Sequence, residues 1–166
     1  MKSLKEYMFT GFIFVSILGT LFHFLYDLLG NNFFVGLFAA RNESIFEHSK
    51  LVFFPTLLFL LYKNSDLKSK HPKINEGVLT GAVLGTFLIP VLFYTYSGAL
   101  GFNVMVIDIA IFYISVAVAF LTAYKISISK RYNIHKNLLV AVVVVMAVLF
   151  VIFSIYPPNI ALFASP

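Results

Sequence analysis

The 166-residue chain has no cysteine and no tryptophan, and only seven acidic residues stand against twelve basic ones. Without cysteine there is no disulfide, no thiolate metal ligand and no thiol nucleophile, and the redox compartment cannot be read. Without tryptophan, the interfacial aromatic role in a bilayer falls to the nine tyrosines. Charge of either sign is scarce: 11% of residues are charged, where a soluble domain carries about 25%. That shortage excludes a soluble enzyme, a disordered chain and a secreted disulfide scaffold. What is present is hydrocarbon, 60% of the chain including twenty phenylalanines, with a mean hydropathy of +0.94. The composition is that of an integral membrane protein. Its basic residues lie in short loops with no binding motif, so nucleic acid is not an expected partner.

A helix that crosses a bilayer core needs about 20 apolar residues. Five stretches meet that length, roughly 8–29, 45–62, 78–97, 104–124 and 137–156. The expected fold is therefore all-α, a polytopic bundle of five transmembrane helices in a single domain, 1–166. Lys2 and Lys5 ahead of an apolar run resemble a signal peptide. The run continues to Leu29, contains His23 and Asp27, and lacks a small-x-small cleavage site, so a retained first helix is expected. If the five spans alternate, ten of the twelve basic residues share one side: Lys2, Lys5, Lys63, Lys68, Lys70, Lys73, Lys125, Lys130, Arg131 and Lys136. The positive-inside rule then predicts an N-in/C-out protein, most simply in a prokaryotic plasma membrane. Gly77, Gly81 and Gly85 form a small-xxx-small ladder, expected to pack within the bundle rather than across a dimer, with oligomeric state left open. Pro55 and Pro90 each remove an intrahelical hydrogen bond and free the carbonyls of Leu51 and Thr86.

Against this background a few ionisable residues sit in the wrong solvent. Asp27, Glu43, Glu47 and Asp108, with His23 and His48, lie inside or at the edges of the apolar runs. An Asp, Lys or Arg at a helix centre in the bilayer costs about 2.5–3.5 kcal/mol. The expected topology places all six, together with Lys50, Tyr94 and Tyr96, in one layer in the outer third of the membrane. His23 and Asp27 are i and i+4 on the first helix, with Tyr26 beside them. Glu43, Glu47 and Lys50 follow at i, i+4 and i+7, while His48 points about 100° away from Glu47. Four acids against Arg41 and Lys50 leave a surplus of negative charge in a poorly solvated place, which favours a bound cation, held protons or access to water.

Each residue also has a purely structural reading. Ser44 and Glu47 fit the S-x-x-E capping box. Arg41 and Glu43 fit a surface ion pair, Asp27 and Lys50 a cross-helix pair, and His23 a hydrogen-bonded interior group. These readings leave Asp108, His48 and the shared depth unexplained. Imidazole and carboxylate donors suit zinc, iron or manganese. The spacing is neither H-E-x-x-H nor the E-x-x-H of di-iron bundles, and there is no G-x-S-x-G, P-loop or dinucleotide fingerprint.

The block 42–55 reads N-E-S-I-F-E-H-S-K-L-V-F-F-P. It resembles an uncharacterised family of small prokaryotic multi-pass membrane proteins with the pattern N-E-S-[VI]-[WF]-E-H-x-K-L-x-F-F-P. The segments from His23 to Asp27 and from Tyr94 to Gly98, and Asp108 with its isoleucine neighbours, resemble the same family. The resemblance implies a five- or six-helix membrane protein with its signature in the outer layer, and brings no activity. From the residues themselves, the first expectation is a metal-dependent membrane-embedded hydrolase or lipid-modifying enzyme acting on a lipid or lipid-linked substrate. His23, Asp27, Glu47 and His48 would bind the metal, with Glu43, Glu47 and Asp108 as catalytic groups and Tyr26, Lys50, Tyr94 and Tyr96 in support. A proton- or cation-coupled transport component is the alternative, and an accessory structural protein the third reading.

Overall fold

The structure, a computed structural model, describes residues 3–62, 65–132 and 135–165; Lys2 and Lys63, counted above for orientation, lie outside these. The helices in chain order are α1 (Leu4–Leu28), α2 (Phe33–Gly36), α3 (Ile45–Phe59), α4 (Ser65–Lys70), α5 (Ile74–Leu100), α6 (Met105–Ile128) and α7 (Lys136–Ile155), followed by a 3-10 turn at Ala161–Phe163. Among the described residues four helices, α1, α5, α6 and α7, are long and apolar enough to cross a membrane. The protein is an all-α, polytopic membrane bundle.

The expected five-span, N-in/C-out topology is not borne out, because only four of the described helices are long and apolar enough to cross. The stretch 45–62 forms the 15-residue helix α3 and then a turn. At 1.5 Å per residue α3 is about 22 Å long, against a hydrocarbon core of about 30 Å. Twelve of its residues are buried, including Glu47 and Lys50. Its apolar side chains face other helices rather than lipid, and α3 is the enclosed centre of the bundle.

Helices α1, α5 and α7 run against α3, while α6, which meets it through Phe120 on Phe59 at 5.5 Å, runs with it. Tyr7 of α1 packs on Phe59 at a ring separation of 4.8 Å, and His23 of α1 stacks on His48 at 5.2 Å, so α1 is antiparallel to α3. Helix α7 is likewise antiparallel, with Phe150 against Phe53 at 5.1 Å and Phe153 against Phe46 at 6.1 Å. Pro55 inside α3 frees the carbonyl of Leu51, as expected. That oxygen presses on α1 at Gly19, where an added Cβ would stand 2.5 Å away. Glycine is required there because any side chain would occupy the same space.

The glycine ladder works inside the bundle. Side chains at Gly77, Gly81 and Gly85 would lie 2.6, 2.2 and 2.9 Å from the carbonyl oxygens of Ala123, Ala119 and Ser115, so α5 and α6 touch backbone to backbone. Gly101, left-handed at φ 80°, caps α5 and reverses the chain into α6. These pairings gather the ends of α1, α5 and α7 and the starts of α3 and α6 at one end of the bundle. At the other end Lys73 Nζ donates to the carbonyls of Ser129, at 3.3 Å, and Tyr132.

A methyl group at Gly81 should therefore be costly and one at Gly98, with nothing within 4 Å, should not. Gly81→Ala is expected to destabilise by about 1–3 kcal/mol through overpacking. Gly98→Ala is expected to be neutral or to gain up to about 1 kcal/mol in helix propensity. Thermal unfolding of both variants in one detergent is the check; a Gly81→Ala protein as stable as wild type would contradict the close approach of α5 and α6.

Candidate metal centre

Because successive residues of a helix turn by about 100°, the polar residues at the start of α3 separate onto two faces. His48 turns toward α1. Glu47 and Lys50, three apart, turn toward α7.

On the first face, Glu43 precedes the N-cap Ser44 and lies outside the helix, so it does not share the face of Glu47. Its carboxylate spans both histidines: Oε1 is 3.8 Å from His23 Nε2 and Oε2 is 3.4 Å from His48 Nε2. The imidazoles are stacked with an interplanar angle of 28°. Donor atoms of His23, Glu43 and His48 all lie within 4.8 Å of one another. Both histidines are half-buried, while the Glu43 side chain is 68% exposed, so the cluster opens at the surface.

Protonation in this trio is constrained by its hydrogen bonds. His48 Nδ1 is 2.9 Å from the carbonyl oxygen of Ser44. A carbonyl only accepts, so Nδ1 carries the hydrogen and the Nε2 of a neutral ring presents a lone pair. That lone pair faces a carboxylate, which also only accepts. Two acceptors at this separation need a positive centre between them, either a proton or a metal ion. His23 also directs Nε2 at Glu43, and its buried Nδ1 has no hydrogen-bond partner among the described residues. Tetrahedral bonds of about 2.1 Å hold ligand atoms about 3.4 Å apart; His48 Nε2 and Glu43 Oε2 stand at that separation, and one donor from each of the three residues falls within 4.8 Å. Two imidazole nitrogens and one carboxylate oxygen suit zinc, iron or manganese.

Asp108, half-buried in the first turn of α6, lies within electrostatic reach of His48. It accepts a hydrogen bond from the Tyr96 hydroxyl, whose oxygen in turn accepts the Val104 N–H at 3.0 Å. Tyr96 thus ties the end of α5 to the start of α6. The remaining expected site residues do not join the trio. Asp27 is exposed at the last turn of α1, and its carboxylate makes no hydrogen bond or ion pair among the described residues. Tyr94 is exposed and packs edge-on against Phe93. Tyr26 turns toward Arg41, whose guanidinium carbon stands 5.6 Å from its ring centre.

On the second face of α3, Lys50 is fully buried. Its ammonium donates to Glu47 Oε2 at 2.6 Å, to the Gly36 carbonyl at 2.9 Å and to Ser154 Oγ at 2.9 Å. Glu47 Oε2 also accepts the Arg41 N–H at 2.7 Å, and its Oε1 accepts from Ser154 Oγ at 3.2 Å. Three structural expectations are corrected here. Ser44 Oγ accepts the Glu47 N–H, but the Ser44 N–H goes to Asn42 Oδ1 at 2.9 Å, so the Glu47 carboxylate does not complete a capping box. Lys50 pairs within its own helix rather than with Asp27. Arg41 leaves Glu43 to the histidines and donates instead to the Ser154 carbonyl. The sequence flags Ser154 only weakly, as the one hydroxyl in the apolar stretch 138–155.

Removing one member of a buried pair strands the other. Lys50→Met alone is expected to cost about 3–5 kcal/mol, and the double variant Glu47→Gln/Lys50→Met clearly less than the two single losses combined. A double-mutant cycle of unfolding free energies in detergent tests this, and strict additivity would mean that the pair does not form.

No curated protein and no solved structure matches the chain. A family model matches residues 1–166 in full, and the chain belongs to that family, described as a family of unknown function (DUF6512).

Proposed function

We propose that the protein is a metal-dependent enzyme embedded in the membrane, a hydrolase or lipid-modifying enzyme, whose metal is held by His23, Glu43 and His48. The observation that carries this reading is the donor set: His48 Nε2, with Nδ1 bonded to the Ser44 carbonyl, faces the Glu43 carboxylate at 3.4 Å, and His23 Nε2 faces the same carboxylate. The Ser44 carbonyl is the kind of outer partner that orients a ligating imidazole and raises its basicity. A divalent ion on three protein donors supplies Lewis acidity and an activated water at neutral pH. Asp108, within electrostatic reach of His48 and oriented by Tyr96, is the carboxylate nearest in role to a proton acceptor for the site. Glu47 and Lys50 hold the scaffold behind the site. The exposed mouth at Glu43, at the end of a bundle of membrane-length helices, favours substrates that reach it from the bilayer surface. The likeness of block 42–55 to small prokaryotic membrane proteins supports a prokaryotic plasma membrane as the location.

Protein purified from native membranes is expected to carry close to one equivalent of zinc, iron or manganese by elemental analysis. His23→Ala and His48→Ala should reduce it to background and Glu43→Gln should weaken retention, while Asp27→Asn should leave it unchanged. Wild-type protein without stoichiometric metal, and indifferent to chelators in thermal unfolding, would leave a shared proton as the occupant and sink the metal reading.

A further inference from the structure

A second polar site adjoins the histidine trio through one short run of backbone. Residues 41–44 send Glu43 toward the histidines, while Arg41, Asn42 and Ser44 line a pocket of about 290 Å³ on the other side. The pocket's far wall is the end of α7 and the returning tail, including Ser154, Ile155 and Phe163. Arg41 is held there from two directions, by the Tyr26 ring and by the Ser154 carbonyl. A guanidinium has five N–H donors and normally meets a carboxylate or phosphate with two of them. Among the described residues the Arg41 guanidinium has no carboxylate partner: Glu43 engages the histidines, and Glu47 is taken by Lys50 and by the backbone of Arg41. Glu47 also lines the pocket, but its charge is offset by Lys50, buried behind it at 2.6 Å, which leaves the charge of Arg41 unbalanced.

A preplaced guanidinium with spare donors in such a pocket is a receptor for an oxyanion. Its apolar wall comes from Phe153 and Ile155 of α7 and from Pro157 and Phe163 of the tail, and their sequence neighbours Ile152 and Tyr156 are exposed. We infer that this pocket binds the phosphate of a phospholipid headgroup, with Arg41 as the receptor and the acyl chains lying along α7. As the substrate site it rests on the enzyme reading above, and it would place a phosphate ester beside the metal trio; as a binding site it stands without that reading.

The test uses the full chain in detergent and three probes that need no variant: dioctanoyl phosphatidic acid, dioctanoylglycerol and inorganic phosphate. Phosphatidic acid is expected to raise Tm in a saturable way, with an apparent affinity at least tenfold above either of the others. Equal effects of the diacylglycerol would reduce the site to tail binding, and equal effects of inorganic phosphate would make it a free-anion site; either overturns the proposal. Arg41→Gln should weaken the phosphatidic acid response at least tenfold, and Arg41→Lys, which keeps the charge without the fork, should fall between. An Arg41→Gln protein that folds and binds as wild type does would also overturn it. His48→Ala should lose metal yet keep the lipid response, so failure of the metal reading and failure of this pocket give different results.

Discussion

One ammonium group organises this end of the molecule. Lys50 is enclosed by protein on every side, and its three N–H donors each find a different segment: Glu47 one turn earlier in α3, the Gly36 carbonyl at the end of α2, and Ser154 in α7. An ammonium with any donor unmet would be expensive in this surrounding. The loop 37–44 and the end of α7 are therefore held where the charge needs them. Glu47 extends the same constraint, since its two oxygens also receive the Arg41 backbone and the Ser154 hydroxyl. The network closes on itself, with donors and acceptors matched.

That closure explains how the rest of the polar residues divide. Glu47 and Lys50 are spent on one another, so neither is free for ligands. Glu43, outside the helix and unconstrained by it, is left to the two histidines, and Arg41 is left with donors to spare. A charge inventory that appears as a single layer in sequence is in space a structural knot flanked by the His23–Glu43–His48 trio and by the Arg41 pocket. The knot lies between them and fixes the backbone of 41–44, on which both depend. Rigid support of this kind keeps donor atoms at productive separations.

The sequence displayed the long helices well and the partnerships poorly. The expected spans 8–29, 78–97, 104–124 and 137–156 correspond to α1, α5, α6 and α7, with ends shifted by a few residues. Helix α3 misled because hydropathy counts apolar side chains without regard to what they touch. A helix buried in protein and one facing lipid have the same composition, and only length and packing distinguish them. Helical spacing placed His48 away from Glu47, and the structure has them on separate faces. It also put Glu43 on the face of Glu47, which required α3 to start before Ser44. Partner choice was out of reach altogether: whether Lys50 meets Asp27 or Glu47 depends on where α7 delivers Ser154, a hydroxyl 104 residues away in sequence.

That separation has a consequence for biogenesis. The ribosome extends a chain by about 5–20 residues per second, so Lys50 emerges roughly 5–20 s before the serine that completes its shell. During that interval α3 is a poor candidate for release into lipid on its own, because it is short and carries a charge short of one acceptor. It is better held against α1, where Gly19 leaves room for the Leu51 carbonyl. Helix α7, the most apolar of the membrane-length helices, then acts as the closing stave, and the polar core is sealed only when the last helix arrives.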